Sequence, residues 1–261
     1  MSNSKRWFVV MTYAAAMAWV ESSVVFYLRS MVDRIEPYQP NPLPIATGFA
    51  KAELVREAAT LLMLLTVGIL AGRTWRSRLG YTAIAFGFWD IFYYVFLKVL
   101  CGWPHSLLDW DILFLIPLPW WAPVLAPVLV ALLLVLWGTL ATSSPGGPGV
   151  SPVSLDSGVT PPPGTPNLRS PNFRDALPTV HALDRKVWLL NFVGIVLALY
   201  VFMADNLRIV NEGVNAWRNT LPTRFNWPLF CLALLFLAVP ILEAIGKQAP
   251  HLRTEADSAM Q

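Results

Sequence analysis

Six apolar runs dominate this sequence, and each has about the length that an α-helix needs to cross a lipid bilayer. A helix rises about 1.5 Å per residue, so about 20 residues cross the ~30 Å hydrocarbon core. The runs cover residues 7–28, 54–72, 81–100, 112–140, 187–204 and 227–246. Continuous apolar runs favour helices, because the strands of a membrane β-barrel would alternate apolar and polar residues. We therefore predict an all-α integral membrane protein with about six transmembrane helices.

The composition agrees with a membrane protein. Charged residues make up only 13% of the chain and hydrophobic residues 56%, whereas a soluble domain has about 25% charged residues. The net charge is +3, and the basic residues lie in short clusters between the apolar runs. The chain lacks the basic stripe interleaved with aromatic residues that is typical of nucleic-acid binding. We therefore expect the lipid bilayer and other membrane proteins as partners, and no nucleic acid.

The fourth apolar run is longer than one span and contains four prolines, Pro117, Pro119, Pro123 and Pro127. Proline removes a backbone hydrogen-bond donor and breaks or kinks a helix. We therefore interpret residues 112–121 as a broken or interfacial lead-in. Residues 122–140 are predicted to form the span itself.

The distribution of lysine and arginine predicts the orientation. The loop after the second run holds Arg73, Arg76 and Arg78, whereas residues 101–111 contain no lysine or arginine. Cytoplasmic loops carry an excess of these residues. Both termini are therefore predicted to be cytoplasmic, and the expected location is a cell membrane, the bacterial inner membrane in particular.

The apolar runs divide the chain into four parts. Residues 1–141 are predicted to form a four-helix transmembrane unit, and residues 187–247 a two-helix unit with an external amphipathic segment. Between them, residues 142–186 are rich in Pro, Gly and Ser, which is typical of a flexible linker. This cytoplasmic linker is a simple tether or a segment that lies along a partner protein. Residues 248–261 are predicted to be a polar cytoplasmic tail.

A group of polar residues interrupts the first four apolar runs. Ionisable residues inside a membrane are rare and point to function by default. With the predicted orientation, they all lie in the outer half of the bilayer. This predicted polar cluster contains Glu21, Arg56, Glu57, Asp90, Tyr94, Lys98 and Asp111.

Helical spacing predicts how the cluster is arranged. Asp90, Tyr94 and Lys98 are four residues apart, which favours one shared face of the helix. Pairing opposite charges avoids most of the cost of a bare charge in hydrocarbon. We therefore expect Arg56 to pair with Glu21 or Asp90, and Lys98 to pair with an acid on a neighbouring helix.

Three interpretations of the polar cluster remain open. It could be a set of interhelical contacts that fix packing, or a proton or ion path through Asp90 beside Tyr93 and Tyr94. It could also be a carboxylate metal or catalytic site built from Glu21, Glu57 and Asp90. The apolar runs contain no histidine, and helical di-metal sites normally use one. We therefore assign no metal ligands and no catalytic residues, and the sequence does not identify a cofactor.

The two cysteines, Cys101 and Cys231, form no CxxC motif, which excludes a zinc or iron–sulfur site of cysteines from this chain alone. Both lie near the outer ends of their predicted helices, so a disulfide between them is left open. The chain also lacks P-loop, dinucleotide-binding, metalloprotease and nucleophile-elbow motifs. These absences favour a non-enzymatic role.

The first functional hypothesis is a non-catalytic, multi-pass accessory subunit of a larger membrane complex. The absence of catalytic motifs and the linker between the two helical units motivate it. One alternative is a small proton- or ion-coupled transporter that uses Asp90. The other alternative is a membrane enzyme that acts on a lipid or quinone from the outer leaflet.

Overall fold

The computed structural model describes residues 1–39, 47–143, 185–209 and 221–259, and it is mostly helical. Within these described residues, five helices are long and apolar enough to cross a membrane, and an apolar stretch at Trp227–Glu243 is shorter. This confirms a mostly helical protein with several helices that could span a membrane. The elements in chain order are α1 (Asn3–Met31), α2 (Thr47–Ala71), α3 (Trp75–Cys101), β1 (Trp110–Ile112), β2 (Trp121–Pro123), α4 (Leu125–Ser143), α5 (Arg185–Arg208) and α6 (Trp227–Ala259).

Several predicted segments lie wholly or partly outside the described residues. The linker predicted at 142–186 includes 144–184, and the external amphipathic segment includes 210–220, all outside them. The polar tail predicted at 248–261 falls on the last part of α6, which continues to Ala259.

Helix α3 lies at the centre of the first four helices and contacts α1, α2 and α4, while α5 packs on α6. Glycines allow α3 and α4 to approach closely. A Cβ atom on Gly87 would lie 2.6 Å from the carbonyl oxygen of Ala131, and one on Gly138 would lie 2.4 Å from that of Gly80. Small residues at the contact are typical of membrane helix pairs, because association there depends on close packing.

The segment before α4 forms a β-hairpin, so the all-α prediction is wrong here. Strands β1 and β2 are antiparallel, with Asp111 opposite Ala122. The pairing extends through Leu113 N–H, which donates to Trp120 O at 2.8 Å. Prolines disfavour a helix at this point, and buried backbone groups must still find hydrogen-bond partners. Cross-strand pairing supplies those partners where the helical ladder cannot.

The two ends of the helical bundle can be told apart by their contacts. At one end, Asn3 Nδ2 donates to Thr142 O at 3.2 Å, and Trp7 Nε1 donates to Thr139 Oγ1 at 3.1 Å. We call this the amino end, because α1 begins there. At the opposite end, which we call the hairpin end, Tyr38 Oη donates to Pro222 O at 2.7 Å.

Candidate functional site

A cavity of about 300 Å³ opens among α1, α2, α3 and the hairpin. We call it the polar cavity, because acidic and basic side chains from three helices line it. Met31, Val32 and Pro37 line it at the hairpin end, and because Met31 is 71% exposed we place the mouth of the cavity there. The charged residues that line it are Glu21, Arg29, Arg34, Glu53, Arg56, Glu57 and Asp90.

Arg56 joins α2 to α1 on one side of the polar cavity. Its guanidinium forms an ion pair with Glu21 and a second with Glu53, in which Nη2 lies 2.6 Å from Glu53 Oε2. Glu21 also accepts a hydrogen bond of 3.2 Å from Thr60 Oγ1. One guanidinium therefore serves two carboxylates, and Glu21, although buried, has both oxygens engaged.

Glu57 attaches the hairpin loop to α2. Its carboxylate accepts hydrogen bonds from Leu115 N–H at 2.9 Å and from Ile116 N–H at 3.3 Å. Hydrogen bonds from backbone N–H groups to an ionised acceptor are among the stronger ones in proteins. The side chain thus satisfies donors in the loop beyond the strands.

Asp111 and Arg29 attach the hairpin to α1. Arg29 Nη2 donates to Asp111 Oδ1 at 2.7 Å, and the Asp111 side chain is 0% exposed. Burial raises the pKa of Asp111, while the neighbouring Arg29 charge and hydrogen bonds act in the opposite direction. The Arg29 guanidinium also lies 4.4 Å from the ring centroid of Trp103, a cation–π geometry. This pair connects two segments that are 82 residues apart.

Asp90 differs from the other acids of the polar cavity. It lies in α3 and is 8% exposed, and no hydrogen bond or ion pair joins its carboxylate to any residue that the structure describes. Tyr93 and Tyr94, with ring centroids 5.0 Å apart, line the cavity beside it. A buried carboxylate without a protein partner is costly unless it is neutral or binds a ligand.

A second cavity, the apolar groove, lies between the α3–α4 pair and the α5–α6 pair and has a volume of about 490 Å³. Trp137, Val187 and Trp188 line it towards the amino end. Three residues line both cavities: Asp90, Leu113 and Phe114. We call these three residues the partition, because they separate the polar cavity from the apolar groove.

Lys98 does not join the polar cavity, so the predicted pairing with an acid on a neighbouring helix is wrong. It is exposed, and its Nζ donates to Gly102 O at 2.8 Å. Each step of four residues turns a helix by about 40° beyond a full turn, so Lys98 lies about 80° around α3 from Asp90. The carbonyl groups at the helix end also attract a cation. Tyr94 remains buried on the inner face.

Two parts of the site do not follow from the sequence pattern. They are the pairing of Arg29 with Asp111 and the backbone partners of Glu57. Both interactions depend on the position of the hairpin, for which the sequence offers no pattern beyond its prolines. The cysteines are both free, and the described part of the chain holds no group of three or more metal-ligating side chains.

Comparisons of this chain with family models, with curated proteins and with solved structures found no match. Its function is therefore inferred from the residues of the two cavities. The most informative of them is Asp90, because it belongs to both.

Proposed function

We propose that this chain is a small proton- or cation-coupled transporter in which Asp90 binds the coupling ion. The supporting observation is the position of Asp90, a buried carboxylate that has no partner among the described residues and borders both the polar cavity and the apolar groove. Buried ionisable groups in membrane proteins commonly mark ion and substrate paths. The other acids of the cavity have protein contacts that explain their burial.

We also propose six spans in a 4+2 arrangement, with both termini in the cytoplasm. The start of α1 lies beside the end of α4, as expected for four helices that alternate in direction. The Arg73–Arg78 cluster follows α2 at that amino end, and such clusters favour the cytoplasmic side. With this orientation, the polar cavity opens outward. The apolar part of α6 would form the sixth span.

Asp90 can couple two ions because one carboxylate cannot balance two positive charges at once. A proton and a substrate cation would compete for it, so each would leave when the other binds. Exchange across the membrane then follows from access to Asp90 from alternate sides. The charged and titratable groups that line the cavity with Asp90 are Glu21, Arg29, Arg34, Glu53, Arg56, Glu57, Tyr93 and Tyr94, and Asp111 acts on Asp90 from behind the wall.

Passage between the cavities requires the partition to move. Phe114 packs against Phe86 and Trp120, with ring centroids 6.2 and 5.1 Å apart. The hairpin that carries Phe114 is attached to α1 and α2 by side chains of the polar cavity. A change in the charge of that cavity could therefore be transmitted to the hairpin, which we propose as the moving element.

The test uses purified protein in liposomes that enclose a pH-sensitive dye. Salts of sodium, potassium and organic ammonium ions are added outside, and cation-driven proton movement is recorded. We expect at least one cation to drive proton efflux with the wild type, and Asp90→Asn to reduce it to the level of protein-free liposomes. Asp205→Asn is the matched control, because Asp205 lies in α5 beside Arg208 and outside the polar cavity.

Two results would overturn this proposal. One is a complete absence of cation-driven proton movement in liposomes that hold folded wild-type protein. The other is unchanged movement with a folded Asp90→Asn variant. Circular dichroism and size-exclusion chromatography before reconstitution establish that each variant is folded.

The hypotheses of an accessory subunit and of a lipid- or quinone-directed enzyme stay predictions. One observation favours the accessory subunit: α5 exposes the large apolar residues Leu189, Phe192, Val196 and Tyr200. Such a face packs against lipid or another membrane protein. Purification in mild detergent separates these cases, since an accessory subunit would bring its partner with it at a fixed stoichiometry.

A further inference from the structure

We infer that the polar cavity binds an organic monocation, an ammonium group that carries an apolar body. This inference rests on the proposed function and specifies the substrate class of the same site. It follows from the charge balance, the volume and the walls of the cavity. Each of these features excludes a different class of ligand.

The charge balance favours a cation, and the pairing of the charged groups favours a single positive charge. Arg56 pairs with Glu21 and Glu53, and Glu57 is held by two backbone N–H groups. Arg29 is engaged by Asp111, a fifth carboxylate just behind the wall. Five carboxylates, Asp111 included, therefore surround the cavity with three guanidinium groups, those of Arg29, Arg34 and Arg56, and this excess of negative charge disfavours an anionic ligand. Asp90 is the carboxylate among them that has no hydrogen bond or ion pair with a described residue, which leaves one carboxylate for one cation.

The volume favours an organic cation over an inorganic one. A cavity of about 300 Å³ is at the lower end of the range for small-molecule pockets, and it would hold about ten water molecules at ~30 Å³ each. A dehydrated metal ion needs several oxygen ligands at close range. Among the described residues, no cluster of acids, histidines or cysteines provides them.

The walls favour an apolar body attached to the charge. Aliphatic side chains such as Val25, Leu28 and Leu113 line the polar cavity. Trp89 and Tyr93 also line it, and their rings are stacked with centroids 6.2 Å apart. Aromatic rings attract ammonium ions; Asp90 directly follows Trp89 and precedes Tyr93 by three residues, which is about one helical turn. An ammonium group beside Asp90 could thus lie among aromatic rings while its body contacts aliphatic side chains.

The mouth of the cavity suits an amphipathic ligand. It is bordered by Met31 and Val32 at the end of α1 and by Glu53 near the start of α2. Met31 is 71% exposed. With the proposed orientation, this mouth lies at the outer membrane surface. Amphipathic cations accumulate in that interfacial layer, because it accommodates both charge and apolar surface.

The test compares three probes of similar size on the full chain in detergent, by calorimetric titration and thermal unfolding. The probes are benzyltrimethylammonium, its uncharged carbon analogue neopentylbenzene, and benzenesulfonate. We expect only benzyltrimethylammonium to bind and to raise the unfolding temperature. Asp90→Asn should weaken its binding at least about tenfold, which corresponds to about 1.4 kcal/mol, whereas Asp205→Asn should leave it unchanged.

A second variant covers the case in which Asp90→Asn does not fold. Val25→Phe adds volume to the cavity wall and retains Asp90, so it should weaken benzyltrimethylammonium binding by a similar factor. Equal binding of the uncharged analogue would overturn the inference, as would binding that survives both substitutions. If sodium or potassium drives proton movement in liposomes while benzyltrimethylammonium does not bind, the proposed function stands and this substrate class is wrong.

Discussion

The polar cavity and the apolar groove lie on opposite sides of the same hairpin, and they hold it by different forces. On the cavity side, Glu57 and the Arg29–Asp111 pair bind it through charge-assisted hydrogen bonds. On the groove side, Trp120 stacks on Phe202 with ring centroids 6.0 Å apart, and Asn206 Nδ2 donates to Pro119 O at 2.5 Å. Charge-assisted hydrogen bonds thus hold the hairpin on the cavity side. On the groove side, aromatic packing and one hydrogen bond from Asn206 hold it.

This difference predicts which changes the hairpin tolerates. The hydrophobic effect does not drive apolar packing between helices inside a membrane, so lipid partly replaces an apolar contact that is lost. A buried carboxylate has no such replacement when its partner is removed. Substitutions on the cavity side should therefore destabilise the chain more than substitutions of similar size on the groove side.

The largest effect is expected from Arg29→Met. This change leaves Asp111, whose side chain is 0% exposed, buried without its cation. Breaking a buried ion pair by removing one partner costs about 3–5 kcal/mol. The free energy of unfolding in detergent, measured by denaturant titration, should fall by that amount. The double variant Arg29→Met with Asp111→Leu should recover part of the loss, because no charge is then buried.

The loss of stability in Arg29→Met should depend on pH. This dependence is the control that assigns the loss to Asp111. Without Arg29, the charge that most opposes the effect of burial on Asp111 is lost and only the hydrogen bonds with Ile112 and Tyr94 still oppose it, so the pKa of Asp111 in the folded state rises further above the value in the unfolded chain. The folded variant then binds a proton more tightly than the unfolded one, and its stability decreases as the pH rises through this range. The difference in the free energy of unfolding between Arg29→Met and the wild type should thus become smaller as the pH falls. A difference that is independent of pH would contradict the assignment to Asp111.

A smaller effect is expected from Phe202→Ala on the groove side. Phe202 is 7% exposed and packs against Trp120, Phe225 and Phe230. Large-to-small changes in water-soluble cores cost about 3–5 kcal/mol, but detergent replaces part of the lost contact in this titration, so we expect about 1–3 kcal/mol. The same denaturant titration measures it. A loss larger than that of Arg29→Met would show that packing, and not charge, fixes the hairpin.

How much the sequence could predict depends on the range of each interaction. The apolar helices follow from runs of about 20 residues, which is a local property. The hairpin could not be predicted, because three-residue strands such as Trp110–Ile112 are too short for a period-two pattern. The contact of Arg29 with Asp111, 82 residues away, depends on that hairpin. The sequence places polar groups at similar depth, but only the fold determines which of them meet.

The smallest effect is expected from Lys98→Gln, which tests where the polar cavity ends. Lys98 follows Asp90 by two steps of four residues, yet it is exposed, and its ammonium group donates to Gly102 O at the end of its own helix. A cation at a helix C-terminus contributes about 0.3–1 kcal/mol, and glutamine retains a donor for the carbonyl group. The loss of stability should therefore stay below about 1 kcal/mol, and benzyltrimethylammonium affinity should be unchanged in calorimetric titration. A change of affinity comparable to that of Asp90→Asn would instead show that the cavity reaches from Asp90 past Tyr94 to Lys98. Lys98 lies about 80° around α3 from Asp90. We therefore expect the polar cavity, and the interactions that depend on its charge, to end before Lys98.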